Sequence, residues 1–293
     1  MKFRFDKNVS ALLEGSIDIH IHSAPYVYPR LLNDVELPLR EGKRHAGDSG
    51  EKSLFRDGGT RTACDRCRGL SRFRGHRAQS HQRRTEQARG QDGAEDGGQR
   101  GLDAHRACRL FRQNKSHVAN LATEIGDDVQ GLVLVKEDGT LKDELYEIFD
   151  IIREADAIFA TGHVTKEEAK LAVREAAKRG VKKIIVTHPA ATFVHYSVDD
   201  MKEILELGAT FLEHTWNDVT RQVSHPLQIS ALFDIIKAVG AAHSIMSTDA
   251  GQWLNPPAAQ QMGIYIKEAL MSGISAKDVR MMVADNPAKI LGI

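Results

Sequence analysis

The sequence predicts a single α/β domain over residues 1–293, built as a (β/α)₈ barrel of the TIM type, and three observations support this fold class. From residue 132 onward, short β-rich runs alternate with helices, which is typical of βα units around a parallel sheet. A length of 293 residues lies in the usual range for such barrels. The readable strands end in His, Glu or Asp, and barrels carry their chemistry at that end of the strands.

The strands are predicted from apolar, β-rich runs. One lies near the start of the chain, SIDIHIH at 16–22. Four lie towards its end: AIFAT at 157–161, KIIVT at 183–187, ATFL at 209–212 and HSIMST at 243–248. The run GLVLV at 131–135 fits either a further strand or a loop, so five strands are predicted with a clear pattern.

Helices between these strands are predicted from their start and stop signals. Thr165 and Glu168 form a capping box, and Gly180 ends the helix that they begin. The later helices are predicted to begin at Ser197, Pro226, Pro257 and Ser275, the last of them ending before Asn286 and Pro287.

Segment 40–117 interrupts this pattern. It contains no Val, Ile, Met, Trp or Tyr, and it carries 19 Lys and Arg against 10 Asp and Glu. Its 78 residues leave room for three βα units of about 25–35 residues each. Three further strands would bring the five readable ones to the eight that a closed barrel needs, but the segment shows none of them.

Three ordinary interpretations of segment 40–117 remain open. Cys64, Cys67, His76 and His81 are the residue types of a zinc finger, although the spacing is short and an apolar core is nearly absent. The arginines could contact RNA phosphates, with three phenylalanines for base stacking. Low hydrophobicity and high charge also fit disorder, although so long a loop inside a compact barrel is uncommon.

A reading frame shifted by one base accounts for more of the segment. Read one base out of phase, the codons of Asp92–Asp96 permit Met-Ala-Leu-Lys-Met, and those of Arg72–Ser80 and His45–Leu54 permit two further apolar runs. Two compensating single-base errors, near residues 38–44 and 112–117, would explain both the Arg and Gly excess and the missing second, third and fourth strands. We therefore predict that the segment is a misread part of the barrel.

The composition limits which binding partners and which cellular compartment are expected for the protein. The formal net charge is zero, which gives no general attraction to nucleic acid or to an acidic membrane. The first residues lack the apolar core of a signal peptide, and no run approaches the roughly 18 apolar residues of a membrane span. The three cysteines all lie within segment 40–117, so the rest of the chain offers no disulfide framework. We expect a cytoplasmic protein with no membrane partner.

Candidate metal ligands stand at the ends of the predicted strands. His20 and His22 share one face of their strand because side chains alternate with a period of two. The later strands end at His163, at His188, at Glu213 with His214, and at Asp249. Several neutral imidazoles with one carboxylate suit zinc, with manganese or iron as alternatives. Each residue alone could instead be structural, or in the case of Glu213 and His214 an exposed corner, so the prediction rests on the joint pattern.

This order of residues resembles the amidohydrolase superfamily. An HxH after the first strand, His after the fifth and sixth strands and Asp after the eighth follow its ligand order, and the flanks DIHIHSAP, VTHPA and MSTDAGQ resemble its metal-dependent hydrolase branch. The resemblance covers residues 14–37 and roughly 118–293. It implies metal ligation by His20, His22, His163, His188 and Asp249. A further ligand from the fourth strand would fall in segment 40–117, so the resemblance leaves open whether one or two metals bind.

The resemblance implies a hydrolase in which a metal-activated water attacks a C–N or C–O bond of a small molecule. Asp249 is then the general base, His163 a further ligand or electrophilic stabiliser, and Glu213 and His214 orient the substrate. One alternative is a metal-dependent decarboxylase of the same superfamily. Another is a protein that binds nucleic acid through segment 40–117, which the composition disfavours. The sequence leaves open whether the chain forms a homo-oligomer.

Overall fold

A computed structural model describes residues 5–23, 31–32, 133–223 and 225–293. Segment 40–117, with its cysteines, lies outside these ranges, as do the strands that its shifted reading frame would encode. Residues 131–132 of the run GLVLV lie outside them too, and Val135 at its end forms one antiparallel bridge with Leu141.

Four parallel strands form the sheet of the described residues, which confirms an α/β fold with a parallel sheet. They are β1 (Phe159–Ala160), β2 (Ile184–Val186), β3 (Phe211–Thr215) and β4 (Ser244–Ser247), and they lie side by side in chain order. β3 extends three residues beyond the predicted run at 209–212, so Glu213 and His214 belong to the strand itself. In the register of β3 and β4, Glu213 pairs with Ile245 and Thr215 pairs with Ser247.

The predicted strand at 16–22 is an extended segment beside β4. Ile21 forms a parallel bridge with Ala250, and the backbone N–H of His22 donates to the Ala250 carbonyl at 2.7 Å. Further back, the Ile17 N–H donates to the Val283 carbonyl at 2.7 Å. The start of the chain is thereby fixed against the last strand of the sheet.

Eight α-helices are described: α1 (Lys7–Leu13), α2 (Asp143–Glu154), α3 (Lys166–Lys178), α4 (Val198–Glu206), α5 (Ile229–Val239), α6 (Ala258–Met271), α7 (Ala276–Arg280) and α8 (Asn286–Leu291). A 3-10 turn (Trp216–Val219) follows β3, a second one (Ala241–His243) precedes β4, and a π-helical turn (Met281–Asp285) joins α7 to α8. No helix in these ranges is long and apolar enough to cross a membrane.

Most of the predicted helix starts are confirmed. Thr165 and Glu168 make the capping box of α3, and Ser197 with Asp200 makes a second box at α4. Ser275 caps α7 through the Asp278 N–H. These side chains satisfy N–H groups that have no partner within their own helix.

Two predicted helix bounds are wrong. α5 begins at Ile229 instead of Pro226, because the Leu227 N–H donates to the Asp218 carbonyl at 2.8 Å and keeps that stretch extended. The last helix does not end before Asn286 and Pro287. Pro287 lies in the first turn of α8, directly after the π-helical turn of Met281–Asp285, and the chain continues as helix to Leu291.

The two faces of the sheet are both apolar, as expected for parallel strands covered on both sides. Ile184, Val186, Leu212 and Met246 face the helices and belong to the main core. Alternate residues, Ile185, Phe211 and Ile245, form a second buried cluster with Ile290 on the other face. Towards the carboxyl ends of β3 and β4 this second face becomes polar, and the candidate site begins there.

Asp200 also joins α3 to α4, since its carboxylate lies 2.9 Å from Lys166 Nζ and 2.7 Å from Lys170 Nζ. Burial raises the pKa of Asp200, but hydrogen bonds from Lys170, Lys166 and Ser197 outweigh burial and hold the pKa below its ordinary value. A carboxyl with a lowered folded-state pKa stabilises the protein above its unfolded pKa of about 3.9, and the contribution is lost as the pH falls towards the folded-state value.

We therefore expect Asp200→Asn to lower the free energy of unfolding by about 1 kcal/mol at pH 7, and by clearly less at pH 3. Urea unfolding at both pH values measures the difference. Asp234→Asn, an exposed helix position, is the matched control and should change little. A loss of equal size at both pH values would show that the charge of Asp200 is not the cause.

Candidate metal centre

The turns that follow β2 and β4 carry two of the predicted ligands in an unusual backbone conformation. His188 has φ 24° and Asp249 has φ 50°, both in the left-handed region that non-glycine residues rarely adopt. Such conformations cost of order 1–3 kcal/mol and cluster at functional sites. Both residues are buried, at 3% and 7% relative exposure.

The structure brings His20, His22 and Asp249 together. The Nε2 atoms of His22 and His20 lie 2.9 and 3.5 Å from Asp249 Oδ1. One ligand atom from each of the three residues can be chosen so that all lie within 4.8 Å of one another, and such a group could hold a metal ion. The HxH spacing places both imidazoles on one side of the extended segment, and the bridge of Ile21 with Ala250 sets them beside Asp249.

The donor atoms of this group fit a divalent cation. Asp249 Oδ1 is buried, and it accepts no hydrogen bond of normal geometry from any residue within the described ranges. Two imidazoles and a carboxylate that face one point are a donor set of zinc and of non-haem iron.

His163 and His188 lie next to this group. Their Nε2 atoms are 2.7 Å apart, and the ring of His188 is 6.0 Å from that of His20. Phe193 packs edge-on against both rings, with centroid distances of 5.2 and 5.5 Å. His163 and His188 thus form a pair beside the group of His20, His22 and Asp249, and we call these five residues the cluster.

Crossed hydrogen bonds hold the ends of β1 and β2 in place below these two histidines. The Gly162 N–H donates to Thr187 Oγ1 at 3.2 Å, and the Thr187 N–H donates to Thr161 Oγ1 at 3.1 Å. The side-chain hydroxyls continue the pairing of the strands past their last backbone hydrogen bond. The turns that carry His163 and His188 consequently start from a fixed base.

Opposite charges dominate the electrostatics of the cluster. Burial lowers the pKa of His20, but the Glu213 and Asp249 carboxylates outweigh it and raise that pKa to about 10. Burial raises the pKa of Asp249, whereas His20 and His22 hold it below its ordinary value. The pKa of His188 is raised, because the Asp218 carboxylate outweighs the lowering effect of burial. Buried carboxylates thus make the cluster attractive to positive charge.

Glu213 and His214 point to opposite faces of β3. Glu213 Oε1 accepts hydrogen bonds from His20 Nδ1 at 3.1 Å and from Ser247 Oγ at 2.8 Å. His214 lies on the helix side, where its Nε2 is 3.3 Å from Ser244 Oγ and burial lowers its pKa to about 4. The structure therefore joins Glu213 to the cluster and leaves His214 out of it.

Sequence reasoning missed two polar side chains of the site, both in the 3-10 turn after β3. Asn217 Nδ2 donates to Asp249 Oδ2 at 3.0 Å. Asp218 Oδ1 lies 3.4 Å from His188 Nδ1, and Asp218 is 3% exposed. The only signal in the sequence is the run EHTWND, in which polar residues directly follow a buried strand.

Asp18 fixes the backbone of the HxH segment. Its carboxylate accepts hydrogen bonds from Thr248 Oγ1 and from the Thr248 N–H, and also from the His20 N–H at 3.3 Å. Burial raises the pKa of Asp18 to about 7, against the opposing effect of the hydrogen bonds from Thr248. Asp18 thereby ties the residues before His20 to the end of β4.

Comparisons with known proteins match the chain to a family model and to solved structures. A family model described as a family of unknown function, DUF6282, matches residues 76–212, a range that includes the last part of segment 40–117. A crystal structure of an amidohydrolase from Pseudomonas aeruginosa is similar at 15% sequence identity with a TM-score of 0.40. That similarity covers 52% of this chain and 57% of the other, so the chain spans little more than half the length of that protein. The search of curated proteins gave no match.

Proposed function

We propose that the protein is a metal-dependent hydrolase that cleaves a C–N or C–O bond of a small molecule. The observation that carries this proposal is the convergence of two imidazoles on Oδ1 of Asp249, a buried carboxylate oxygen without a hydrogen bond of normal geometry. A divalent ion there, zinc before manganese or iron, would lower the pKa of a water towards 7 and make it a nucleophile at neutral pH.

The side chains of the cluster then have distinct roles. His20, His22, His188 and Asp249 would hold the ion, and His163 would add a further ligand or stabilise developing negative charge on the substrate. Asp249 would take the proton of the attacking water at Oδ2, which among the described residues accepts one hydrogen bond, from Asn217, and so keeps a second lone pair. The same oxygen delivers that proton to the leaving group. This proposal assigns no contact with the ion to His214, because its Nε2 lies 3.3 Å from Ser244 Oγ on the helix side of β3.

We further propose that the sheet is part of a (β/α)₈ barrel over residues 1–293, and that segment 40–117 is an out-of-frame reading of its second, third and fourth strands. The parallel bridge of Ile21 with Ala250 supports the barrel, because closure requires the first strand to lie beside the last. Resequencing the gene across codons 36–120 tests the proposal. Two compensating single-base errors are expected, and DNA that encodes the chain as written would overturn it.

Removal of the metal should abolish hydrolysis. The test is a panel of amides, cyclic amides, esters and lactones, assayed before and after dialysis against a strong chelator and after addition of zinc, manganese or iron(II). We expect activity on a member of the panel to fall at least about 100-fold with the chelator and to return with one of the metals. Activity that resists the chelator would contradict the proposal. Release of CO₂ from a carboxylated substrate would show that the enzyme is a decarboxylase instead of a hydrolase.

A further inference from the structure

One short stretch of chain contacts three of the proposed ligands. It runs from Glu213, near the end of β3, to Asp218 in the 3-10 turn that follows. The three ligands that it contacts come from three other places: the segment at the start of the chain, the end of β2 and the end of β4. We call residues 213–218 the orienting stretch.

The first contact of the orienting stretch fixes the ring of His20. His20 Nδ1 is 3.1 Å from Glu213 Oε1, and the same oxygen accepts from Ser247 Oγ at 2.8 Å. Because the Glu213 carboxylate can only accept, the proton of a neutral His20 must be on Nδ1. Nε2, 3.5 Å from Asp249 Oδ1, then presents a lone pair to the centre.

The second contact fixes the carboxylate of Asp249. Asn217 Oδ1 accepts from Asn255 Nδ2 at 3.1 Å, and the Asp249 carboxylate on the other side of the Asn217 amide can only accept. Nδ2 of Asn217 must therefore face Asp249 Oδ2, to which it donates at 3.0 Å. Asp249 Oδ1 is left as the oxygen that faces His20 and His22.

The third contact fixes the ring of His188. Asp218 Oδ1 is 3.4 Å from His188 Nδ1, and both side chains are almost fully buried. The contact lacks the geometry of a hydrogen bond, but the Asp218 carboxylate favours a proton on Nδ1, and Nε2 of His188 faces His163 Nε2 at 2.7 Å. The contact is longer than the one between Glu213 and His20, so a weaker effect is expected from it.

We propose that Glu213, Asn217 and Asp218 are positioning residues, each of which selects the atom that one proposed ligand turns towards the metal. The inference rests on the proposed function, because it takes the cluster to be a metal centre. Carboxylate and amide partners of this kind orient metal-binding histidines, and their loss weakens metal affinity about 10–100-fold. Since all three lie in one stretch, any shift of the end of β3 changes three ligands together.

The test measures metal affinity instead of hydrolysis. Glu213→Gln, Asn217→Ala and Asp218→Asn are made in the full chain, with exposed positions as matched controls: Glu206→Gln, Asn8→Ala and Asp234→Asn. Zinc dissociation constants come from competition with a chromophoric chelator, and cobalt(II) loading gives a visible spectrum that reports the geometry of the ligands. Far-UV circular dichroism checks that each variant is folded.

We expect zinc affinity to fall about 10–100-fold in the three variants and to stay within about twofold of the unchanged chain in the controls. The cobalt spectrum should change in the three variants. If these residues only stabilised the fold, a folded variant would keep its ligand geometry and its spectrum would not change. Should a variant unfold, Ser247→Ala is the second test. It removes one of two hydrogen bonds to Glu213 Oε1 and should weaken zinc binding about threefold.

Two results would overturn the inference, and they differ in what else they imply. Variants that bind zinc as tightly as the controls, with an unchanged cobalt spectrum, overturn the positioning role and leave the metal centre intact. If the protein without any substitution binds neither zinc nor cobalt, the metal centre is overturned and the proposed function with it. A chain that binds both metals and shows the expected losses supports the inference even if no hydrolysis is found.

Discussion

Replacing Asp249 by asparagine is expected to abolish tight zinc binding, with affinity lowered by more than about 100-fold. The carboxylate supplies the only negative charge among the three side chains that converge, and a neutral amide oxygen is a poorer zinc ligand. Asparagine has nearly the same shape and is among the residues that best tolerate a left-handed backbone, so φ 50° should be kept. Competition with a chromophoric chelator measures the loss.

The control for this experiment is Asp234→Asn, the same change at an exposed helix position. It should bind zinc like the unchanged chain, and both variants should give the same far-UV circular dichroism spectrum. If Asp249→Asn binds zinc with unchanged affinity while remaining folded, Asp249 is not a ligand.

Gly251→Ala is expected to separate the start of the chain from the last strand. Gly251 has φ +121°, and a Cβ atom there would lie 1.9 Å from the carbonyl oxygen of His22 and 2.7 Å from its carbonyl carbon. Both atoms belong to the backbone of His22, whose N–H donates to the Ala250 carbonyl at 2.7 Å, so relief of the overlap should disturb that hydrogen bond. We expect the free energy of unfolding to fall by more than about 3 kcal/mol, and zinc affinity to fall with it.

Gly273→Ala is the matched control for the backbone effect. Gly273 has φ +86°, and a Cβ atom there would meet nothing within 4 Å, so only the unfavourable backbone conformation remains. That conformation costs about 1–2 kcal/mol, and zinc affinity should not change. Chemical denaturation with and without zinc separates the two variants. Equal losses of stability in both variants would show that the close approach of Gly251 to His22 is not the cause of the loss.

Local signals in the sequence predicted the parts of the fold that depend on local chemistry. The capping box of Thr165 and the helix start at Ser197 form as expected, because the N-cap side-chain oxygen accepts a hydrogen bond from the backbone N–H three residues later. The HxH pair also follows from the alternation of an extended chain alone. Such features need no knowledge of neighbouring elements.

Features that depend on register could not be predicted in this way. The roles of Glu213 and His214 differ because the pleat of β3 directs them to opposite faces, and the sequence does not show which face meets the site. Asn217 and Asp218 follow the strand in a 3-10 turn, where no simple period says which side chain turns inward. The start of α5 was wrongly predicted at Pro226 for the same reason, since the hydrogen bond from the Leu227 N–H to the Asp218 carbonyl determines where that helix begins.

X-ray absorption at the zinc edge of the zinc-loaded protein tests the central claim most directly. Ligation by His20, His22 and Asp249 predicts a shell of nitrogen and oxygen at about 2.0–2.2 Å, with the outer scattering of imidazole rings. It also predicts that this signal disappears in the His20→Ala, His22→Ala double variant. A shell of sulfur at about 2.3 Å would instead place the metal on the cysteines of segment 40–117 and would contradict the centre proposed at the ends of the strands.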